Sequence, residues 1–292
     1  MELLHLDNHQ KISDYLNGVS LANTFFASPI MLNTFLNKPG FCVYGVQDKS
    51  EKYIFIQKEG TKELRFLFKE FPDEVVEFLK KEFNPPYIAY NELVINPEKE
   101  NQNIEEDAFV FIEKTLEFND GSIRRKYNSA LKNNTALVVK DFSEEDKKNL
   151  KAFWETWSTQ KSERSETFIR HTDHDERFFE LYTDKDFYGK CFYDGEVLVA
   201  YTILVPLHGN VCLGAFNKCL RGYTQLGLEV FVERLKIAQK LGYEKISIAG
   251  AINLFKKQFK DIEYMPVYCY ELCRDESFKT KNANGYSTVL LR

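Results

Sequence analysis

The stretch LGAFNKCLRGYTQLGLEVFVERLKIAQKLGYEKISIAG, Leu213 to Gly250, reads as strand, polar loop, long amphipathic helix, strand. An apolar run from Val211 to Phe216 leads into the polar loop Asn217 to Gly227. Leu228, Phe231, Leu235, Ala238 and Gly242 then recur at spacings of 3, 4, 3 and 4, which is one stripe of a helix. Glu229, Glu233, Lys236, Gln239 and Lys240 fall on the other side, and Gly242 stands where a helix C-terminal stop belongs. Lys245 to Ala249 is a second short apolar strand.

Working outward, Phe187 to Tyr193 and Val197 to Pro206 form a hairpin across Asp194-Gly195. Before it come a helix from Ser143 to about Ser158, burying Leu150, Phe153, Trp154 and Trp157, and another carrying Phe178, Phe179 and Leu181. Earlier still, Ser122 is expected to cap a helix through Leu131, followed by a strand at Thr135 to Val139. A short helix around Leu254 to Phe259 and a strand from Tyr264 to Cys273 close the chain. The first hundred residues have a separate pattern. Strands are expected at Gly40 to Val46, Lys52 to Gln57 and Glu63 to Phe68, then a helix from Phe71 to Phe83 stopped by Asn84-Pro85-Pro86. The polar run Asn96 to Asn103 reads as a linker, which gives two domains, 1–103 and 104–292.

At 292 residues the chain is comfortable for two domains. It is 43% hydrophobic and 28% charged, as soluble globular proteins are. Its 25 Phe and 16 Tyr suit an AT-rich coding bias better than a binding surface. A net charge of −5 speaks against a generic nucleic-acid binder. No run approaches the roughly 20 apolar residues of a membrane span, and the start lacks the pattern of a signal peptide. Cys42, Cys191, Cys212, Cys219, Cys269 and Cys273 lie scattered, mostly in apolar runs, which fits reduced thiols and a cytoplasmic location. His171 and His174 form a weak zinc pattern without ordered Cys partners, so no metal is expected.

The strand–loop–helix–strand unit resembles the acyl-CoA site of the GNAT acyltransferases, where first-turn amides bind an anion. The family's loop reads Gln or Arg, two residues, Gly, one residue, Gly or Ala. Registered on Ala238 and Gly242, this chain places Gly227 last and Gln225 at the first glycine; registered on Gly222, Thr224 falls last and Cys219 takes the Gln/Arg place. The order of elements from Asn119 on is also that of the GNAT fold. Over most of its length the chain is similar to the phosphatidylglycerol lysyltransferase C-terminal domain-like family, tandem-GNAT proteins related to the Fem aminoacyltransferases. The landmarks are Leu16 to Phe25, the basic helix Arg124 to Lys132, Trp157 followed by Glu166, Val199 to Thr202, Phe216-Asn217-Lys218 with Gly222-Tyr223, and Leu254 to Phe259. It departs from the family in Asn217, where an acidic residue is usual, and in Gly250 to Asn253, which lacks acidic residues.

The resemblance implies an α/β fold with a mixed sheet, built as two tandem GNAT-like domains, and direct acyl or aminoacyl transfer to an amine acceptor, a small molecule or peptide. Acyl-CoA is the expected donor, with aminoacyl-tRNA disfavoured by overall acidity, and no membrane insertion is expected. Thr224, Gln225, Leu226 and Gly227, with Gly222, would hold the donor phosphate; Ala215, Phe216 and Asn217 would hold its arm and polarise its carbonyl. Glu166 is the candidate base, with a solvated helix-capping glutamate as its other reading; on the last strand Tyr264 is a candidate acid, for which core packing is the favoured reading. Arg124 and Arg125, and Lys256 and Lys257, are candidate phosphate or acceptor contacts that also fit a solvated cationic face. The alternative is a non-catalytic GNAT-like binding protein.

Overall fold

The structure is a computed structural model. It describes residues 1–16, 28–36, 40–49, 51–58, 63–66, 72–85, 87–92, 101–162, 173–207, 209–248, 259 and 262–274. The chain forms two compact units, Met1–Asp107 with Met265–Arg292, and Ala108–Tyr264.

The first unit begins with β1 (Glu2–His5), α1 (His9–Leu16), α2 (Pro29–Leu36), β2 (Phe41–Asp48), β3 (Glu51–Lys58) and β4 (Glu63–Phe66). α3 (Asp73–Phe83) and β5 (Tyr87–Glu92) follow. β1, β2, β3 and β4 pair antiparallel in sequence order. β5 then lies parallel to β4, the register Leu64↔Ile88 following a crossover through α3. Asp73 and Glu74 in the first turn of α3 and Lys80 and Lys81 in the last suit the helix dipole. Asn84 closes the helix in the left-handed region, its N–H bonded to Lys80 O at 2.9 Å. The far edge of β5 receives β12 (Ile262–Arg274), antiparallel, with Tyr270 opposite Tyr90. Val46, Phe55, Leu64, Val75, Leu79 and Ile88 form the core. Gly45 admits the Tyr15 ring, which a Cβ there would meet at 2.5 Å, and the Tyr15 hydroxyl donates to Val46 O at 2.6 Å.

The second unit takes in the end of β6 (Asn101–Phe111), then α4 (Ile112–Leu116), α5 (Gly121–Asn133), β7 (Val138–Asp141), α6 (Lys147–Ser162) and α7 (Asp173–Leu181). β8 (Tyr188–Asp194), β9 (Val197–Pro206), β10 (Val211–Cys219), α8 (Leu226–Lys240) and β11 (Lys245–Ser247) complete it. β7 to β10 pair antiparallel in order, β11 is parallel to β10, and β6 is antiparallel to β11. Strand, two helices, three antiparallel strands, helix and parallel strand thus occur twice, once in each unit. This repeat lies in topology and pairing, where the sequence offers no residue-level repeat.

Local chemistry moves several boundaries. Asn101 to Asn103, expected in a linker, begin strand β6. Asp120 rather than Ser122 caps α5, accepting from Ser122 N at 2.7 Å and Ile123 N at 3.3 Å. On α5, Ile123, Tyr127 and Ala130 are buried and Leu131 is exposed. The strand after α5 starts three residues late, at Val138. Among the described residues no helix is long and apolar enough to cross a membrane, and Cys42, Cys191, Cys212 and Cys219 are free thiols.

A single 3-10 turn, Glu144–Asp146, precedes α6. Ser143 and Asp146 close it as a capping box, in which Asp146 accepts from Ser143 N and Oγ, both at 2.8 Å. The same carboxylate accepts from Tyr193 OH at 2.7 Å and pairs with Lys140 at 2.7 Å. Burial pushes its pKa up, but Lys140, Tyr193 and Ser143 outweigh that and hold it below the usual 3.8. A depressed folded-state value means that the contribution is present above the unfolded pKa and lost as pH falls through the folded one. Between pH 7 and pH 3 the native chain therefore loses more melting temperature than Asp146→Asn does. Equal losses would contradict this account.

Candidate functional site

β10 and α8 form the centre of the second unit. Alternation along β10 sends Phe216 to Phe178 of α7 and Lys218 to Asp175, while Cys212 and Cys219 face α8. Between Gly214 and Phe216 the register to β9 slips by one residue, so Ala215 is an extra residue in a β-bulge. The parallel pairing with β11 covers only Val211 to Leu213. From Gly214 to Cys219, β10 is paired on its β9 edge, and among the described residues no strand pairs with the other edge.

At the end of β10 the loop reaches α8 over an open cleft of about 390 Å³. Trp157, Gln160 and Lys161 of α6 line one side; Cys219, Leu220, Arg221, Gly222, Tyr223, Gln225, Leu226 and Gly227 line the other. Gly222 has φ +98° and Gln225 sits in the left-handed region at φ 53°, so the chain turns into α8 without a side-chain cap. Leu228 N and Glu229 N both donate to Gln225 O, at 2.9 and 3.3 Å. The N–H groups of Leu226 and Gly227 have no partner among the described residues. The cleft lining carries two cations, Lys161 and Arg221, and no carboxylate among the described residues. Gln160 braces the loop by accepting from Arg221 N at 2.8 Å. Trp157 is packed between lysines, with Lys218 Nζ 4.6 Å and Lys161 Nζ 5.4 Å from its ring centre. Two cations beside unsatisfied helix-start amides suit a phosphate or diphosphate.

The far side of the loop is clamped. Asn134, the C-cap of α5, donates to Thr224 O at 3.0 Å and to Glu229 Oε2 at 2.8 Å. Glu229, expected on the polar side of α8, is buried at this clamp. Burial pushes its pKa up, against the bond from Asn134.

On the α6–α7 face lies a buried polar network that the sequence did not announce. Asp175 is 2% exposed. It accepts from Tyr201 OH and pairs with Lys218 Nζ at 2.6 Å, while Trp154 Nε1 donates to Tyr201 OH at 2.9 Å. Burial pushes the Asp175 carboxyl up, opposed by Lys218 and Tyr201. The partners are 43 positions apart in sequence, so no periodicity could have linked them.

The structure distributes the expected site residues unevenly. Gly222, Gln225, Leu226 and Gly227 line the cleft, and Thr224 is held at its rim by Asn134. Ala215 is the bulge residue, Phe216 is buried against α7, and Asn217 is half-buried with Oδ1 unpaired. Arg124 and Arg125 are exposed on α5, outside the residues lining this cleft. Tyr264, 41% exposed on β12, is also outside it. Glu166, Lys256 and Lys257 lie outside the described residues. No group of three potential metal ligands occurs among the described residues.

No protein-family model and no curated protein sequence matches the chain. Solved structures do. A conserved protein of unknown function from Bacteroides thetaiotaomicron aligns at TM-score 0.71 and 11% identity, over 93% of this chain and 100% of that one. The C-terminal domain of a putative lysylphosphatidylglycerol synthetase from Agrobacterium fabrum aligns at 0.60 and 11% identity, over 90% and 92%. FemX aligns at 0.60 and 11% identity, over 99% and 100%. The fold is that of the tandem GNAT proteins, one of which, from the clavulanic acid pathway, aligns at 0.52.

Proposed function

We propose that the chain is a GNAT-type transferase that holds a phosphate-bearing acyl donor, acyl-CoA, in the cleft at the start of α8. It passes the acyl group directly to an amine. The observation that carries this is the conjunction of Lys161 and Arg221 with N–H groups of Leu226 and Gly227 that have no partner among the described residues, in a cleft to which those residues bring no carboxylate. The open edge of β10 leads from that cleft to the bulge at Ala215. An acyl arm laid along this edge would bring its carbonyl to backbone N–H groups at the bulge. One such donor is worth roughly 3 kcal/mol of transition-state stabilisation. The fold shared with FemX and with the lysylphosphatidylglycerol synthetase domain supports acyl or aminoacyl transfer in general, and the acidic chain favours CoA over tRNA. Glu166 as base, from the resemblance, and Tyr264 as acid, from its place on the last strand, are proposals.

The test is CoA affinity by calorimetry. Lys161 is exposed and has no ion pair among the described residues, so Lys161→Glu leaves the fold intact and places a carboxylate at the phosphates. Affinity should fall roughly tenfold, given about 0.2–1 kcal/mol for one exposed attraction and a similar repulsion added. Unchanged affinity would remove the cleft as the phosphate site.

A further inference from the structure

Deeper along the same seam, α8 presents Arg234 to β10. Its side chain is 4% exposed, and its Nε is buried without a hydrogen-bond partner. No carboxylate among the described residues pairs with it; the nearby ionisable group is Cys212, whose thiol is itself pushed up to about 12 by burial and is uncharged at neutral pH. Burial lowers the guanidinium only to about 10, so it stays charged. The segment between β11 and β12, 248–261, contains one acidic residue, Asp261, which lies outside the described residues. The Phe231 ring lies 5.1 Å from the Arg234 Cζ.

The position is built for a guanidinium. Gly214, the residue before the bulge, faces it so closely that a Cβ there would lie 2.3 Å from Nη1 and 2.5 Å from Cζ. Gly227 at the cleft and Arg234 lie on one stripe of α8, facing Cys219 and Gly214 at the two ends of the open β10 segment. Asn217 lies between them on the same strand face, and its Oδ1 is a second buried group without a partner. An uncompensated buried cation is costly, and a charge so placed is normally paired. Among the described residues no such counter-charge is present, and a carboxylate on a bound donor would supply one.

We infer that the acyl group of the donor carries a terminal carboxylate, which pairs with Arg234 at the end of the β10–α8 seam, while Asn217 Oδ1 accepts an N–H of the donor. The inference rests on the transferase reading above and narrows its donor. Two sources share this chemistry, a dicarboxylic acyl-CoA and an acidic aminoacyl ester of tRNA.

Calorimetry on the full chain with CoA, acetyl-CoA and succinyl-CoA separates the questions. Binding of CoA itself tests the transferase reading. The inference predicts that succinyl-CoA binds about tenfold or more tighter than acetyl-CoA, as expected for a charge-assisted bond. In Arg234→Met that ratio falls to about one while CoA affinity holds. Equal affinities in the native chain, or a ratio that survives the substitution, would overturn the inference and leave the CoA site standing. If no CoA compound binds, retention of glutamyl-tRNA against alanyl-tRNA decides. A glutamyl preference lost in Arg234→Met supports the carboxylate, and no preference overturns it. Arg234→Met should melt no lower than the native chain, because an unpaired buried charge is exchanged for an apolar side chain. A fall of several degrees would mean that a group of the chain itself pairs with the guanidinium, which also overturns the inference.

Discussion

Asp175→Ala lowers the stability of the second unit by about 3–5 kcal/mol, the usual cost of removing one partner of a buried ion pair. The carboxylate ties three elements together: α7, which carries it, β10 through Lys218, and β9 through Tyr201. Without it the Lys218 ammonium, 11% exposed over the Trp157 ring, loses this carboxylate, and the Tyr201 hydroxyl loses its acceptor in a site with no room for bulk water. The size of the loss separates this pair from exposed pairs such as Lys11 with Asp7, which water and salt screen. Two further variants identify the cause. Asp175→Asn keeps an acceptor for Tyr201 and so costs less than the alanine. Asp175→Ala combined with Lys218→Met recovers much of the loss, because replacing both charges by apolar groups is often close to neutral. Urea midpoints for the four proteins check this. A single alanine variant within 1 kcal/mol of native, roughly the value of an exposed pair, would show that the network is not buried as described.

The parts of the fold that sequence pattern revealed are those in which neighbours along the chain determine the outcome. Phe231, Leu235 and Ala238 recur at helical spacing and are buried. Gly242, at φ +83°, ends α8 where a glycine was expected to end it, and Asp194-Gly195 turns the β8–β9 hairpin with Gly195 at φ +57°. Patterns failed where tertiary contacts override them. Gln225 enters the left-handed region although nothing in its residue type requires it, so the start of α8 at Leu226 was hidden by two positions. Glu229 follows the polar spacing yet is drawn inside by Asn134, 95 positions earlier. Polar Asn101 to Asn103 carry no alternation that would mark them as strand.

The site divides along the same line. The loop Gly222 to Gly227 was legible because a strand followed by a helix puts free amides at one edge. The α6 half of the cleft, Trp157, Gln160 and Lys161, was not, since it meets the loop only through folding. Arg234 stands between buried residues on a helix, and only the glycine opposite it reveals that space was kept for a guanidinium.

The central claim is that the start of α8 is a donor-phosphate site, and thermal stability in the presence of CoA tests it most directly. Gly227 lines the cleft, and a Cβ there would meet Cys219 Sγ at an ordinary 3.5 Å. Gly227→Ala is therefore accommodated and serves as the control, whereas the indole of Gly227→Trp fills the space a phosphate would occupy. At CoA about 100 times above its Kd the native chain should gain about 2.7 kcal/mol, a rise of roughly 5–10 °C for a unit of this size. The account predicts that rise for the native chain and for Gly227→Ala, and none for Gly227→Trp. A native chain whose melting temperature stays fixed up to millimolar CoA, or a Gly227→Trp variant that rises equally, would contradict it.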